Sequence, residues 1–158
     1  MTIGIDISQL AYPNTGVANY LKRLLAEMIN QGKEDQFVLF FSSMRGKLNE
    51  EDVPDSENIT IKKYPFPPSI LAFLWNKLHI LPIDSLIGSV DIFITSDWTE
   101  PPLKNGKKGT ILYDLIVYKY PEESHNKTEI RLSNLILSAN IVTSQKRKLE
   151  WVRKESDI

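Results

Sequence analysis

The chain has no cysteine, and that single absence removes disulfides, thiolate metal ligands and cysteine nucleophiles together. It suits a reducing cytoplasm. Histidine is scarce: His79 and His125 are the only two, so few side chains titrate near neutrality, and no His-Glu-x-x-His spacing exists to hold a metal. Glycine is limited to seven residues, and neither the Gly-x-Gly-x-x-Gly dinucleotide fingerprint nor a Walker P-loop occurs. Long apolar runs are missing as well. Stretches such as Ile70 to Leu74 fall far short of the roughly 20 residues that span a bilayer. The opening Met1-Thr2-Ile3-Gly4-Ile5-Asp6 lacks the basic-then-apolar start of a signal peptide, so export by that route is not expected. Net charge is nearly absent too: 19 Lys and Arg against 20 Asp and Glu leave −1. Such a balance supplies no bulk field for a polyanion and argues against a nucleic-acid partner.

What remains is the composition of an ordinary globular domain. A length of 158 residues fits one domain, and 42% hydrophobic with 25% charged residues is enough for a real core. The two sequons, Asn58-Ile59-Thr60 and Asn126-Lys127-Thr128, are read as unmodified.

Apolar periodicity then orders the elements. Ile3 to Ile7 reads as a strand, followed by the turn-forming Tyr12-Pro13-Asn14-Thr15-Gly16. Val17, Tyr20, Leu21, Leu24, Leu25, Met28 and Ile29 recur at helical spacing, with Asn14 or Thr15 as cap and Gly32 as terminator. Phe37 to Phe41 is apolar throughout, as expected of a parallel strand buried on both faces, so strand, helix and strand form a βαβ unit. Residues 45–57 read as a surface loop, Ile59 to Ile61 as a shorter strand, and residues 69–79 as a short helix carrying Ile70, Leu71, Leu74, Trp75 and Leu78. Asp91 to Thr95 and Gly109 to Leu112 supply two further strands. Residues 128–154 read as helix; one unbroken helix there would be about 40 Å long, so a break near Thr143-Ser144 is expected. Five strands alternating with helices predict an α/β fold, a Rossmann-like open, mostly parallel sheet with helices on both faces.

In such a sheet ligands bind beyond the carboxyl ends of the strands. Three loops qualify: Ser8 to Gly16, Ser96 to Pro102 and Tyr113 to Pro121. Thr15 and Gly16 open a helix, where free N–H groups and the dipole favour an anion and a glycine admits close approach; the alternative is a glycine that only permits a turn. Asp97, Trp98 and Glu100 set carboxylates beside an aromatic platform for a sugar ring, or are loop packing. Tyr113 and Asp114 follow an apolar strand, where the carboxylate either accepts from an acceptor hydroxyl or shapes its own turn. Asp6 carries the same ambiguity, with structural capping the expected role. His79 is expected in the core or on the surface, and His125 is a weak loop candidate. Phe73 and Trp75, and separately Trp151 beside Lys146, Arg147, Lys148, Arg153 and Lys154, offer a membrane-surface or interdomain patch. The plainer alternative is a solvated helix face with tryptophan packed inward, since Glu150, Glu155 and Asp157 offset three of those five charges.

Ile3-Gly4-Ile5-Asp6, Thr15-Gly16-Val17-Ala18-Asn19-Tyr20 and Leu24-Leu25 together resemble the opening of retaining GT-B glycosyltransferases, the family-4-like group of mannosyltransferases and glycogen-synthase-like enzymes. Asp91 to Trp98, and Thr110 to Leu115 ending at Tyr120-Pro121, look like two further landmarks of that group in the same order. The resemblance implies one half of a GT-B fold: an N-terminal, acceptor-side domain over residues 1–158, incomplete at its C-terminal end, with the donor domain absent. It implies transfer of a hexosyl group from a nucleotide sugar to a glycan or lipid-linked acceptor, with no cofactor and no metal. Donor contact would run through the missing second domain, so the fragment alone is expected to be inactive. Tyr113 and Asp114 are then the catalytic candidates, and Thr15, Gly16, Asp97 and Trp98 the acceptor or phosphate loop. Two departures stand out. The family often has His before the Asp of the fifth-strand motif, where this chain has Tyr113, and many relatives have two glycines in the first loop, where this chain has Thr15 and a single Gly16. The expected location is cytoplasmic, with peripheral contact at the inner face of the membrane as an option.

Two other readings compete. One is a stand-alone α/β binding module that complements a separate donor-domain subunit. The other is a flavodoxin-like or response-regulator-like signalling domain, which uses a similar sheet; the paired acidic residues after the first strand and the late lysine of a response regulator are missing.

Overall fold

The computed structural model describes residues 1–96, 99–111 and 113. The expected helix over residues 128–154, with Trp151 and its basic neighbours, and His125 lie outside the described residues.

Five strands, β1 (Thr2–Asp6), β2 (Gln36–Ser42), β3 (Ile59–Tyr64), β4 (Ile92–Thr95) and β5 (Lys107–Thr110), form one sheet in the order β3-β2-β1-β4-β5. Each neighbouring pair is parallel. The chain winds outward from β1 to β3 and then returns across the sheet to β4, so the direction of winding reverses between β1 and β4. This is an α/β, Rossmann-like open sheet.

Side-chain alternation divides the core between its two faces. Ile3 and Ile5 of β1 and Phe37, Leu39 and Phe41 of β2 pack in one cluster with Ala18, Leu21, Leu25 and Ile29. Those last four form the buried stripe of helix α1 (Gly16–Gln31). Burying each large member contributes about 1.5–3 kcal/mol, which is why an amphipathic helix stays on this face. Phe40 of β2 and Phe93 of β4 point to the other face, against Leu71, Trp75, Ile83 and Ile87. Helices α2 (Pro68–Ala72) and α3 (Asp84–Ile87) cover it. Gly4 faces the same way, and its lack of a side chain is required: a Cβ there would sit 2.7 Å from Phe93 Cδ2.

Several boundaries differ from those read in the sequence, each for a local reason. Tyr20 is half exposed rather than part of the buried stripe of α1. The single helix expected over residues 69–79 is instead α2 followed by a π turn, Phe73–Lys77, closed by Leu78 N–H donating to Phe73 O at 3.1 Å. That turn seats the Trp75 ring 5.7 Å from the ring of Phe40 and lets its Nε1–H donate to Leu81 O at 3.0 Å. The proposed pairing of Phe73 with Trp75 in a surface patch is corrected accordingly, since Trp75 is buried and Phe73 is exposed. His79 leaves helical geometry for a left-handed conformation at φ 51° and is exposed. Strand β5 begins two residues earlier than its apolar run, because Lys107 N–H donates to Asp91 O and Lys107 pairs in register with Ile92. Strand β3 extends through Lys62 and Lys63, both exposed, as suits a charged edge strand.

At the amino edge, the Met1 ammonium donates to Asp35 Oδ1 at 2.7 Å, and this hydrogen bond raises its pKa. Asn58 Nδ2, the atom a glycan would need, donates to Asp35 O and Gly32 O.

Candidate functional site

The buried polar side chains gather at one edge. Among the described residues they are Asp6, Ser42, Thr95, Ser96, Thr99 and Thr110. Asp6, Ser42, Thr95 and Thr110 end β1, β2, β4 and β5, and Ser96 and Thr99 lie just beyond β4. Both packed faces of the sheet are apolar, so burial of polar groups is confined to its carboxyl edge.

Asp6, Ser42, Thr95, Ser96 and Thr110 are each held by a specific partner, as buried polar atoms require. Asp6 Oδ1 accepts from Ser8 N–H, two residues on, at 2.8 Å. Ser96 Oγ donates to Asp6 O at 2.6 Å, joining the exits of β1 and β4 where the winding reverses. Ser42 N–H donates to Ser8 Oγ at 3.0 Å, and Ser42 Oγ donates to Phe66 O at 3.0 Å. Thr95 Oγ1 donates to Thr110 Oγ1 at 3.0 Å.

Between these groups and α2 lies a small cavity of about 60 Å³, lined by Asp6, Ser8, Gln9, Ser42 and Thr99 on its polar side and by Leu71 and Trp75 on its apolar side. A drug-sized ligand needs roughly 300–1,000 Å³, so this recess fits a hydroxyl or hydroxymethyl group rather than a whole molecule. Ser8, Gln9 and Ser42 do not stand out in the sequence. For Ser42 the available signal was a polar residue closing the apolar run Phe37 to Phe41. A larger open groove of about 680 Å³ lies at the amino edge, lined in part by Ile29, Asn30, Asp55 and Glu57. The negative end of the α1 dipole and two carboxylates, against the single ammonium of Lys33, disfavour an anion there.

The start of α1 completes the carboxyl edge. Thr15 is its N-cap, accepting from Ala18 N–H at 3.1 Å while its hydroxyl donates to Tyr12 O at 3.0 Å. Its hydroxyl is thus used within the cap. The N–H groups of Gly16 and Val17 have no acceptor within an α-helix, and no acidic residue occupies the first turn. Gly16 does not have a positive φ, and no described atom lies within 4 Å of where its Cβ would be. Neither a turn nor packing among the described residues therefore requires glycine at this position.

Tyr113 reaches the same helix. Its ring meets that of Tyr20 edge-on at 5.6 Å, so Tyr113 packs against α1. Glu100 is engaged within the described residues: Oε1 accepts from Thr110 Oγ1 at 3.5 Å, Oε2 lies 3.9 Å from Lys108 Nζ, and its N–H donates to Asn76 Oδ1 at 2.8 Å. Asp97, Trp98 and Asp114 lie outside the described residues. Among the described residues, no group of three or more His, Asp or Glu is placed to hold a metal ion, and no helix is long and apolar enough to cross a membrane. No family model, curated protein or solved structure matches the chain.

Proposed function

We propose that this chain is the acceptor-side half of a GT-B glycosyltransferase, transferring a hexosyl group from a nucleotide sugar to a hydroxyl-bearing acceptor, with the donor held by a second domain. The observation that carries this reading is that, among the described residues, buried polar side chains are confined to the carboxyl edge, from Asp6 to Thr110. That edge is where open α/β sheets bind ligands, and hydroxyl-lined walls suit a polyhydroxy acceptor. Gly16 supports the same reading. With open space at its Cβ position and first-turn N–H groups beside it, the start of α1 admits a phosphate or a sugar hydroxyl at close range. Tyr113, which follows the fifth strand as the family's motif residues do, meets α1 at the ring of Tyr20.

In this arrangement the acceptor hydroxyl is oriented by carboxyl-edge groups, and leaving-group charge on the nucleotide diphosphate is stabilised chiefly by the second domain. Rate enhancement comes from holding donor and acceptor together and from that electrostatic stabilisation. Isothermal titration with a panel of nucleotide sugars, with and without a supplied donor domain from a GT-B enzyme, tests it. Binding and turnover are expected only with the added domain. Tight donor binding by the isolated chain would rule out an acceptor-side assignment.

A further inference from the structure

Of the asparagines in the chain, only Asn105 is followed by glycine. The pair lies in the bend that leads into β5, and both residues are exposed. The residues on either side are anchored: Lys104 N–H donates to Asp84 Oδ2 at 2.9 Å, and Lys107 N–H donates to Asp91 O at 2.8 Å. Between these anchors, neither the Asn105 side-chain amide nor the Gly106 N–H has a hydrogen-bond partner among the described residues. Asn58 is the opposite case, since its Nδ2 donates to Gly32 O and Asp35 O and its Oδ1 accepts from Ser56 Oγ.

Glycine at position 106 is imposed by the fold. Its φ is 108°, and a Cβ there would lie 2.5 Å from Val90 O and 2.9 Å from Asp91 O. Any other residue would also shield its own backbone nitrogen with a side chain, whereas glycine leaves that nitrogen open. An unshielded nitrogen thus follows directly after a free, exposed side-chain amide. Attack of the one on the other closes a five-membered ring, and intramolecular proximity lets such a closure proceed without a catalyst.

We propose that Asn105-Gly106 is a site of spontaneous deamidation that loosens the entry to β5. The Gly106 nitrogen gives its proton to solvent and attacks Asn105 Cγ. The N–Cγ bond forms, the Cγ–Nδ2 bond breaks, and Nδ2 leaves as ammonia after regaining a proton from solvent. Water then opens the succinimide. Opening at Cγ leaves an ordinary aspartate, while opening at the main-chain carbonyl carbon of residue 105 leaves Gly106 joined through Cγ, as isoaspartate. Either product adds one negative charge, and isoaspartate also inserts Cβ into the main chain. That extra atom falls between the anchors at Lys104 and Lys107, where Gly106 is already tight against Val90 O, so the longer chain displaces Lys107 from Asp91 O. The modification requires nothing of the chemistry performed at the carboxyl edge.

Peptide mapping by mass spectrometry of the folded 158-residue chain, held at mildly alkaline pH, tests the proposal, with a peptide spanning residues 101–110 as the unfolded comparison. Conversion of amide to carboxylate at Asn105 is expected within about tenfold of the peptide's rate. It should also be roughly tenfold or more faster than at Asn58, whose amide must first break two donated hydrogen bonds. Asn105→Gln should suppress the conversion, because its ring would need a sixth member. The isoaspartate form, separated by chromatography and identified with an isoaspartyl methyltransferase, should unfold at a lower urea midpoint than fresh chain. Asn105→Asp, which keeps the ordinary main chain, should not. A rate at Asn105 below either bound would overturn the assignment of the site. An isoaspartate form as stable as fresh chain, or an Asn105→Asp chain destabilised equally, would overturn the loosening of β5 by the lengthened main chain.

Discussion

Ser96 Oγ donates a buried hydrogen bond of 2.6 Å to the carbonyl oxygen of Asp6, ninety residues earlier in the chain. It joins the exits of the two strands between which the sheet reverses its winding. Ser96→Ala leaves that carbonyl without this donor in a site closed to water, and a loss of about 1–3 kcal/mol is expected. Urea unfolding should show a lower midpoint with an unchanged slope. An unchanged midpoint would mean that the bond does not hold the two strand ends together.

Gly4 and Phe93 are register partners in β1 and β4, and glycine at position 4 makes room for the aromatic ring. Gly4→Ala introduces a Cβ 2.7 Å from Phe93 Cδ2 and 3.0 Å from Ile87 Cδ1, in a fully packed layer. A destabilisation of about 1–3 kcal/mol is expected from overpacking. Combining it with Phe93→Leu should recover part of that loss, so thermal melts of the four-member cycle should be non-additive. Strict additivity would show that the two positions do not compete for the same space.

Thr15 and Gly16 are adjacent but should respond in opposite ways. Thr15→Ala removes the N-cap of α1 and is expected to cost about 1 kcal/mol, while Thr15→Ser retains most of the stability. Gly16→Ala meets nothing within 4 Å among the described residues and should raise stability by up to about 1 kcal/mol. The same change narrows the approach to the first turn of α1. In the presence of a donor domain it should therefore lower turnover by roughly tenfold, the cost of a methyl group that obstructs close approach. A Gly16→Ala chain that is more stable and equally active would remove the start of α1 from the site.

His79 is exposed and held at φ 51°, a conformation uncommon for residues other than glycine, although His adopts it more often than most, as Asn and Asp do. Relief of about 1–2 kcal/mol of strain by glycine is opposed by about 0.5–1 kcal/mol of added chain entropy in the unfolded state. His79→Gly should then stabilise the protein by about 0.5 kcal/mol, read as a rise in the urea midpoint. A fall would show that the histidine side chain makes a contact worth more than the strain.

The layered α/β class, the order of the five strands along the chain, and the cap and terminator of α1 were legible in the sequence. All rest on local rules: Phe37 to Phe41 is apolar because that strand is covered on both sides, Leu21, Leu25 and Ile29 repeat because one helical stripe is buried, and Thr15 precedes a helix because its hydroxyl can replace a missing acceptor. The boundary of β5 was not legible, because Lys107 and Lys108 join the sheet through register with Ile92 and Phe93, and a strand can be set by its neighbour against its own composition. The π turn was hidden for a similar reason. Helical spacing places Phe73 and Trp75 in one pattern, and only the position of the Phe40 ring decides that Trp75 turns inward and Phe73 outward. The candidate site divides the same way. Sequence alone determined that polar residues follow apolar strands at Asp6, Ser96 and Tyr113. That Asp6 meets Ser96, that Ser8 accepts from Ser42, and that Tyr113 comes to rest against Tyr20 was decided by the sheet, because parallel strands bring residues far apart in the chain to one edge and no local pattern encodes which of them will touch.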